Sequence, residues 1–147
     1  MKTYQRPHHH TQSLRSQAQL FQNSQHSLSM NKNITRLARQ YNKQNSANLN
    51  DDLLNMVATH INILDITCLD TIFTYLGNKP NTVQSQIGIH WLANELIPRL
   101  ISRVEQLNDN TFLIASMTRA IGRICRSHPH QLIALLYPNL KTLFGYF

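Results

Sequence analysis

From residue 49 to the end of the chain, apolar residues recur every three or four positions, and Asn, Gly and Pro break the pattern at short intervals. Leu53, Leu54, Val57, Ile61 and Leu64 share one helical face, while Asn55, Thr59 and Asn62 face away. Asn50 is placed to cap that helix, with Asp51 and Asp52 in the first turn, where the helix dipole favours acids. Ile66, Leu69, Ile72, Phe73 and Leu76 repeat the pattern as far as Gly77, and Pro80 follows as a stop signal. The β-branched residues Ile66, Thr67, Thr71, Ile72 and Thr74 leave a strand as the lesser alternative there. Asn81 caps a third helix through Val83, Ile87, Trp91 and Leu92. Pro98 would remove a helical bond and clash with the carbonyl of Asn94, so the pattern predicts a restart with Pro98 in the first turn. Leu100, Ile101, Val104 and Leu107 are the buried side of that fourth helix. Asp109 or Asn110 caps a fifth, whose inner face is Leu113, Met117, Ala120, Ile121 and Ile124, with Cys125 at its edge. Ser127-His128-Pro129 ends it and opens a sixth through Leu132, Ile133 and Leu136; Pro138 opens a seventh with Leu140, Leu143 and Phe144.

Short amphipathic helices joined by brief turns predict an all-α domain over 49–147, built of stacked antiparallel hairpins in the manner of an α-solenoid. Ile97-Pro98-Arg99-Leu100 recurs 40 residues later as Tyr137-Pro138-Asn139-Leu140, a spacing in the range of two-helix repeats. Phe144, Tyr146 and Phe147 close the chain on an apolar surface without a polar capping helix. That ending predicts a cover from another chain, self-association, or a sequence that belongs to something longer.

Residues 1–48 read differently. The first 50 residues hold eight Gln, seven Asn and six Ser, with seven basic side chains and no acid. So little apolar surface cannot offset the entropy of ordering, and disorder is the expectation for a basic tail over 1–48. Leu14, Ala18 and Phe21, and likewise Ile34, Ala38 and Tyr41, fall at i, i+4, i+7, enough for two short marginal helices. Beside a solvated linker, two functional readings remain for the tail: a mitochondrial transit peptide, or a phosphate-contacting segment in which Tyr4, Phe21 and Tyr41 stack on bases. His8, His9 and His10 have no Cys or carboxylate nearby, and no metal site is expected from them.

Charge and chemistry narrow the picture. Of the 14 Lys and Arg against 7 Asp and Glu, the excess lies wholly in the tail, since residues 51–147 carry seven of each sign. No apolar run is long enough for a membrane-spanning helix. The isolated glycines Gly77, Gly88, Gly122 and Gly145 form no phosphate-binding loop, and no kinase catalytic loop, nucleophile elbow or HExxH zinc motif is present. Cys125 with His128 or His130 could be drawn as nucleophile and base, but a thiol on the border of a buried face is inert, so a structural role is expected. Neither enzymatic activity nor a cofactor is expected of this chain. Arg119, Arg123 and Arg126, at i, i+4, i+7 opposite Leu113, Met117, Ala120 and Ile124, form a stripe able to dock an acidic partner surface. Arg99 and Arg103 repeat the motif on the preceding helix, with Glu95 placed to pair Arg99.

Two blocks of residues carry a family resemblance: Trp91 with Leu96-Ile97-Pro98-Arg99-Leu100-Ile101-Ser102-Arg103-Val104, and Ile121-Gly122-Arg123-Ile124-Cys125-Arg126-Ser127-His128-Pro129-His130-Gln131-Leu132-Ile133. Together, over residues 91–138, they resemble the C-terminal part of the FAT domain of the phosphatidylinositol 3-kinase-related protein kinases. The resemblance implies a helical stack that packs around a serine/threonine kinase domain and helps regulate it, in kinases that signal DNA damage, nutrient status or RNA quality. In its terms Pro98 starts a helix, Arg103 and the corner Ser127–His130, with Pro129, make inter-helix contacts, and Trp91 fills the groove between repeats. It further implies a non-catalytic scaffold whose partner is a protein or a kinase domain of that family, in the nucleus or cytoplasm rather than the mitochondrion. The alternatives are a generic HEAT-like scaffold, or a helical protein that uses its basic tail for nucleic-acid binding or import.

Overall fold

The computed structural model describes residues 2–46, 48–79, 88–107 and 109–127, and beyond them 134, 137, 138, 141, 142 and 145. Among the described residues every regular element is helical: α1 (Lys2–Asn42), α2 (Asp51–Thr59), α3 (Ile66–Asn78), α4 (Ile89–Trp91), α5 (Ile97–Ser102) and α6 (Thr111–Ser127). A π-turn (Leu92–Leu96) joins α4 to α5, and 3-10 turns occupy Ile61–Ile63 and Val104–Leu107. The all-α expectation holds, and the strand alternative at 66–76 does not: that segment is α3.

The chain divides into two units, Met1–Met30 and Asn31–Phe147. In the first, residues 2–30 are helical, and each side chain described is exposed or, at Ser27 and Met30, half-buried. Leu20 and Leu28 lie in solvent, and Gln19 Nε2 donates to Asn23 Oδ1 at 3.1 Å one turn on. Composition predicts disorder here, whereas the structure holds a helix. The segment 8–42 contains neither Gly nor Pro, so nothing interrupts intrahelical bonding even though no core forms. The boundary also differs from the expected 48. Ile34 and Ala38 are fully buried in the second unit, as their helical spacing suggests, and a tail drawn through 48 averages them away.

The second unit is organised around α3, on which only Thr67 and Asn78 are exposed, while Leu69, Phe73 and Leu76 are wholly buried. A helix apolar on nearly every side belongs in the middle of a core. Leu53, Val57 and Leu64, then Leu92 and Leu100, then Met117, Ala120, Ile121 and Ile124 complete that core on the faces the periodicity predicts, and Leu96 and Ile97, to which the periodicity gives no face, are buried with them. Gly77, a helix stop by its sequence context, lies inside α3 and serves the crossing with α6. A Cβ there would sit 3.0 Å from the Ala120 carbonyl oxygen and 3.1 Å from its Cα, so the two backbones meet only because position 77 has no side chain.

Caps follow the sequence where they are local. Asn50 Oδ1 accepts from the Leu53 amide at 2.9 Å, and Asp65 Oδ1 accepts from the Cys68 amide at 2.9 Å. Asn110, not Asp109, caps α6, accepting from the Leu113 amide at 3.2 Å; Asp109 takes the left-handed conformation, φ 61°, that turns the chain into it. Pro98 falls in the first turn of α5, as expected, but the chain enters that helix through the π-turn and not through a break. The backbone stays helical through Leu96 (φ −76°, ψ −47°) and Ile97 (φ −64°, ψ −45°), and the Ile97 amide donates to the Leu92 carbonyl, one residue beyond the usual reach. That π-turn relieves the ring clash that proline would otherwise impose.

Several expectations lie outside the described residues: the third helix's start at Asn81 with Val83 and Ile87, the sixth helix's Leu132, Ile133 and Leu136, the seventh's Leu140, Leu143 and Phe144, and the end at Tyr146 and Phe147. Ala134, Tyr137, Pro138, Lys141, Thr142 and Gly145 are helical.

Candidate functional site

The five arginines singled out by spacing separate into two groups. The first lies where α2 hands over to α3. The chain from Ile61 to Ile66 turns sharply, and its backbone groups need partners that no helix supplies. Side chains supply them. Arg99 Nη2 donates to the Asn62 carbonyl, and Arg103 Nε donates to the Leu64 carbonyl at 3.2 Å. From α1, Asn31 donates through Nδ2 to the Ile63 carbonyl and accepts at Oδ1 from the Asp65 amide, both at 2.8 Å. Gln106 Oε1 accepts from the Ile66 amide at 3.1 Å. Four side chains from three elements thus fix one junction. Burial, and next the nearby Arg103 charge, lower the Arg99 guanidinium from its ordinary value, and its Nε is buried without a hydrogen-bond partner. Spacing marks Arg99 as a partner-binding residue; the structure directs it inward to a carbonyl, and that bond stands in place of the expected pairing with Glu95.

The second group is on α6. Arg119, Arg123 and Arg126 are all exposed, on the side away from Met117, Ala120, Ile121 and Ile124. Arg123 Nη1 donates to Asn78 Oδ1 at 2.6 Å, and Asn78 Nδ2 donates to Asn42 Oδ1 at 2.7 Å, so the ends of α1 and α3 are tied to the middle of the stripe. Phe112, two turns before Arg119 on the same line, is 76 % exposed. No acid occurs in α6. What the face offers is hydrogen-bonding cations with an aromatic at one end, a combination suited to binding anions.

Asp70, buried on α3, is the one charged group in the core among the described residues. Burial raises its pKa, opposed by a hydrogen bond from Ser116 and by the charge of Arg39. One of its oxygens, Oδ1, has no hydrogen-bond partner. Thr74 Oγ1 and Ser116 Oγ lie 3.5 Å apart beside it. Burial pushes the Cys68 thiol up to about 11 and raises that of Cys125. No three His, Cys, Asp or Glu among the described residues could share a metal ion. Nor is any helix among them long and apolar enough to cross a membrane.

Of the residues carried by the resemblance, Pro98 sits in the first turn of α5, Arg103 makes an inter-element bond, and Trp91 is half-buried in α4. His128, Pro129 and His130 lie outside the described residues. Sequence reading misses Asn31, Gln106 and Asp70, whose partners are distant in the chain. It also misses Phe112, although the seven-residue offset from Arg119 is there to be seen.

No family model matches the chain, and no solved structure matches it. A curated protein that it resembles is the mitochondrial arginine biosynthesis bifunctional protein ArgJ of Meyerozyma guilliermondii, 31 % identical over 75 residues. That match covers 44 % of this chain, which spans 14 % of the length of the enzyme.

Proposed function

We propose that the unit from Asn31 onward is a non-catalytic helical interaction module whose docking surface is the outward face of α6. The observation that carries this reading is the contrast between its two sets of arginines: those of α5 are directed to backbone carbonyls, while Arg119 and Arg126 face solvent in an element without acids. Exposed arginine beside an exposed aromatic is the composition of a binding hot spot. In keeping with that role, burial raises both thiols, the opposite of an activated nucleophile.

The finer proposal is that the module is a FAT-type or HEAT-like scaffold of stacked helical hairpins. Its support is the pair of sequence blocks at 91–104 and 121–133, together with the inter-element bond of Arg103.

The test is co-purification of the tagged full chain from its own cells, wild type against Arg119→Glu/Arg126→Glu. Arg123 is left intact because it also holds Asn78. The expected result is a stoichiometric protein partner that the variant loses while its circular dichroism stays the same. An unchanged partner set at unchanged stoichiometry would overturn the reading.

A further inference from the structure

We propose that the partner seated on α6 is an acidic amphipathic α-helix, whose carboxylates meet Arg119 and Arg126 and whose apolar side chain covers Phe112. This rests on the reading of α6 as a docking face. With 100° per residue, Phe112, Arg119 and Arg126 lie seven apart and drift by only about 20° at each step, and Arg123 falls between the last two. All four side chains occupy an arc of about 60° over about 21 Å of helix. The stripe is therefore straight and one residue wide. Its neighbours on the exposed surface are Thr111, Ala115, Thr118 and Gly122, all small and uncharged. A straight, narrow row of cations at one-turn intervals matches another helix bearing acids at the same intervals, and the guanidinium forks of Arg119 and Arg126 can each take a carboxylate through two bonds. Phe112, at 76 % exposure, gives such a helix an apolar contact at one end and fixes its register.

A nucleic acid fits less well. A polyanion tracking a surface uses a broad basic groove with several aromatic platforms, whereas here three cations stand in a single file. Asp109, in the turn just before α6, is exposed. Three phosphate contacts would hold a strand only weakly at physiological salt. The charges and the aromatic favour a protein helix.

The probe is a labelled synthetic helical peptide, titrated against the full chain. It carries glutamate at i, i+3 and i+7 and leucine at i+14, which is the antiparallel image of the stripe. We expect saturable binding, weakened more than tenfold by Arg119→Glu/Arg126→Glu and several-fold by Phe112→Ala. A second peptide with lysine for glutamate should bind the reversed protein better than the wild type, a rescue that misfolding could not produce. Binding equal to that of a peptide of the same composition, with its glutamates spread round the helix, would overturn the proposal. So would tighter binding of oligothymidylate than of the acidic peptide. If that oligothymidylate binding were lost in the Arg119→Glu/Arg126→Glu protein, α6 would remain the docking face and only the class of partner would be wrong.

Discussion

Two sets of arginines on neighbouring helices have opposite fates in this molecule. Arg99 and Arg103 on α5 reach across to the carbonyls of Asn62 and Leu64, and the junction before α3 is built on them. Arg119 and Arg126 on α6 point to solvent. In sequence the two sets look alike, at i, i+4 and i, i+4, i+7 on amphipathic helices with acids nearly absent. What separates them is the supply of acceptors. The outer side of α5 meets a turn whose carbonyls have no helical partner, so its guanidinium groups are drawn in. On the outer side of α6, among the described residues, Asn78 at the end of α3 is an acceptor, and it has taken Arg123. An arginine stripe therefore signals a docking face only where the fold leaves it no carbonyl of its own.

The comparison is sharpest if α6 is placed by its apolar crossing with α3 and not by its charges. Gly77→Leu tests that placement and should have the largest effect. Its side chain would be driven into the Ala120 backbone, which cannot move aside as a flexible side chain would, and stability should fall by about 3 kcal/mol. Urea denaturation of the full chain measures it. A loss under about 1 kcal/mol would mean that the two helices slide apart easily and that the face is not rigidly presented.

Asn31→Ala ranks next, because it strips the junction of two bonds at once. The Ile63 carbonyl and the Asp65 amide would be left without the Asn31 amide in a site where that residue is only 6 % exposed. The expected loss is about 2 kcal/mol, less the few tenths that alanine returns as a better helix former. Arg103→Met removes one bond from a half-buried guanidinium and should cost about 1 kcal/mol in the same measurement. The order Asn31 before Arg103 matters: the reverse would mean that the cations and not the amide hold the junction.

Asp70 supplies a check with its own sign. Burial raises its folded pKa above the unfolded value, so the unfolded chain gives up that proton first. The folded state is then favoured at pH below the usual carboxylate range, and loses that advantage as pH rises through the folded pKa. Asp70→Asn should accordingly raise the Tm at pH 7, with the gain shrinking as the pH is lowered towards about 4, the ordinary carboxylate range. A fall in Tm at pH 7 would show that the Ser116 hydrogen bond and the Arg39 charge outweigh the burial.

How much of this could be read from the chain depended on distance along it. The Asn50 cap, the apolar faces of α2, α3 and α6, and the exposure of the α6 arginines rest on residues within a turn or two of each other, and periodicity finds them. The junction does not, since Asn31 meets Asp65 and Gln106 meets Ile66 across 34 and 40 residues. Asp65 is a local cap that periodicity passes over, because apolar spacing marks the helices on either side of it and not the polar residue between them. Gly77 carries a true signal with two meanings: glycine ends helices and lets them cross, and only the position of Ala120 decides between them. Ile34 and Ala38 are visible as a helical pair, yet the polar composition around them argues for disorder. Averaging over the whole tail hides a buried turn and a half.

The smallest expected effect on stability is also the one that best separates the two arginine sets. Arg119→Gln/Arg126→Gln keeps much of the length and the hydrogen-bonding ends of both side chains and removes their charge. Since both face solvent, stability should stay within about 0.5 kcal/mol of the wild type. Arg99→Gln/Arg103→Gln makes the same chemical change one helix earlier. Here the carbonyls of Asn62 and Leu64 lose charged donors, and a cost of about 1 kcal/mol or a little more is expected, the worth of such bonds in a half-buried site. If the α6 pair proved as costly as the α5 pair, the stripe would be part of the scaffold and no docking face would remain. If neither pair changed stability, the junction would be held by Asn31 and Gln106 alone, and the arginines of α5 would be as available to a partner as those of α6.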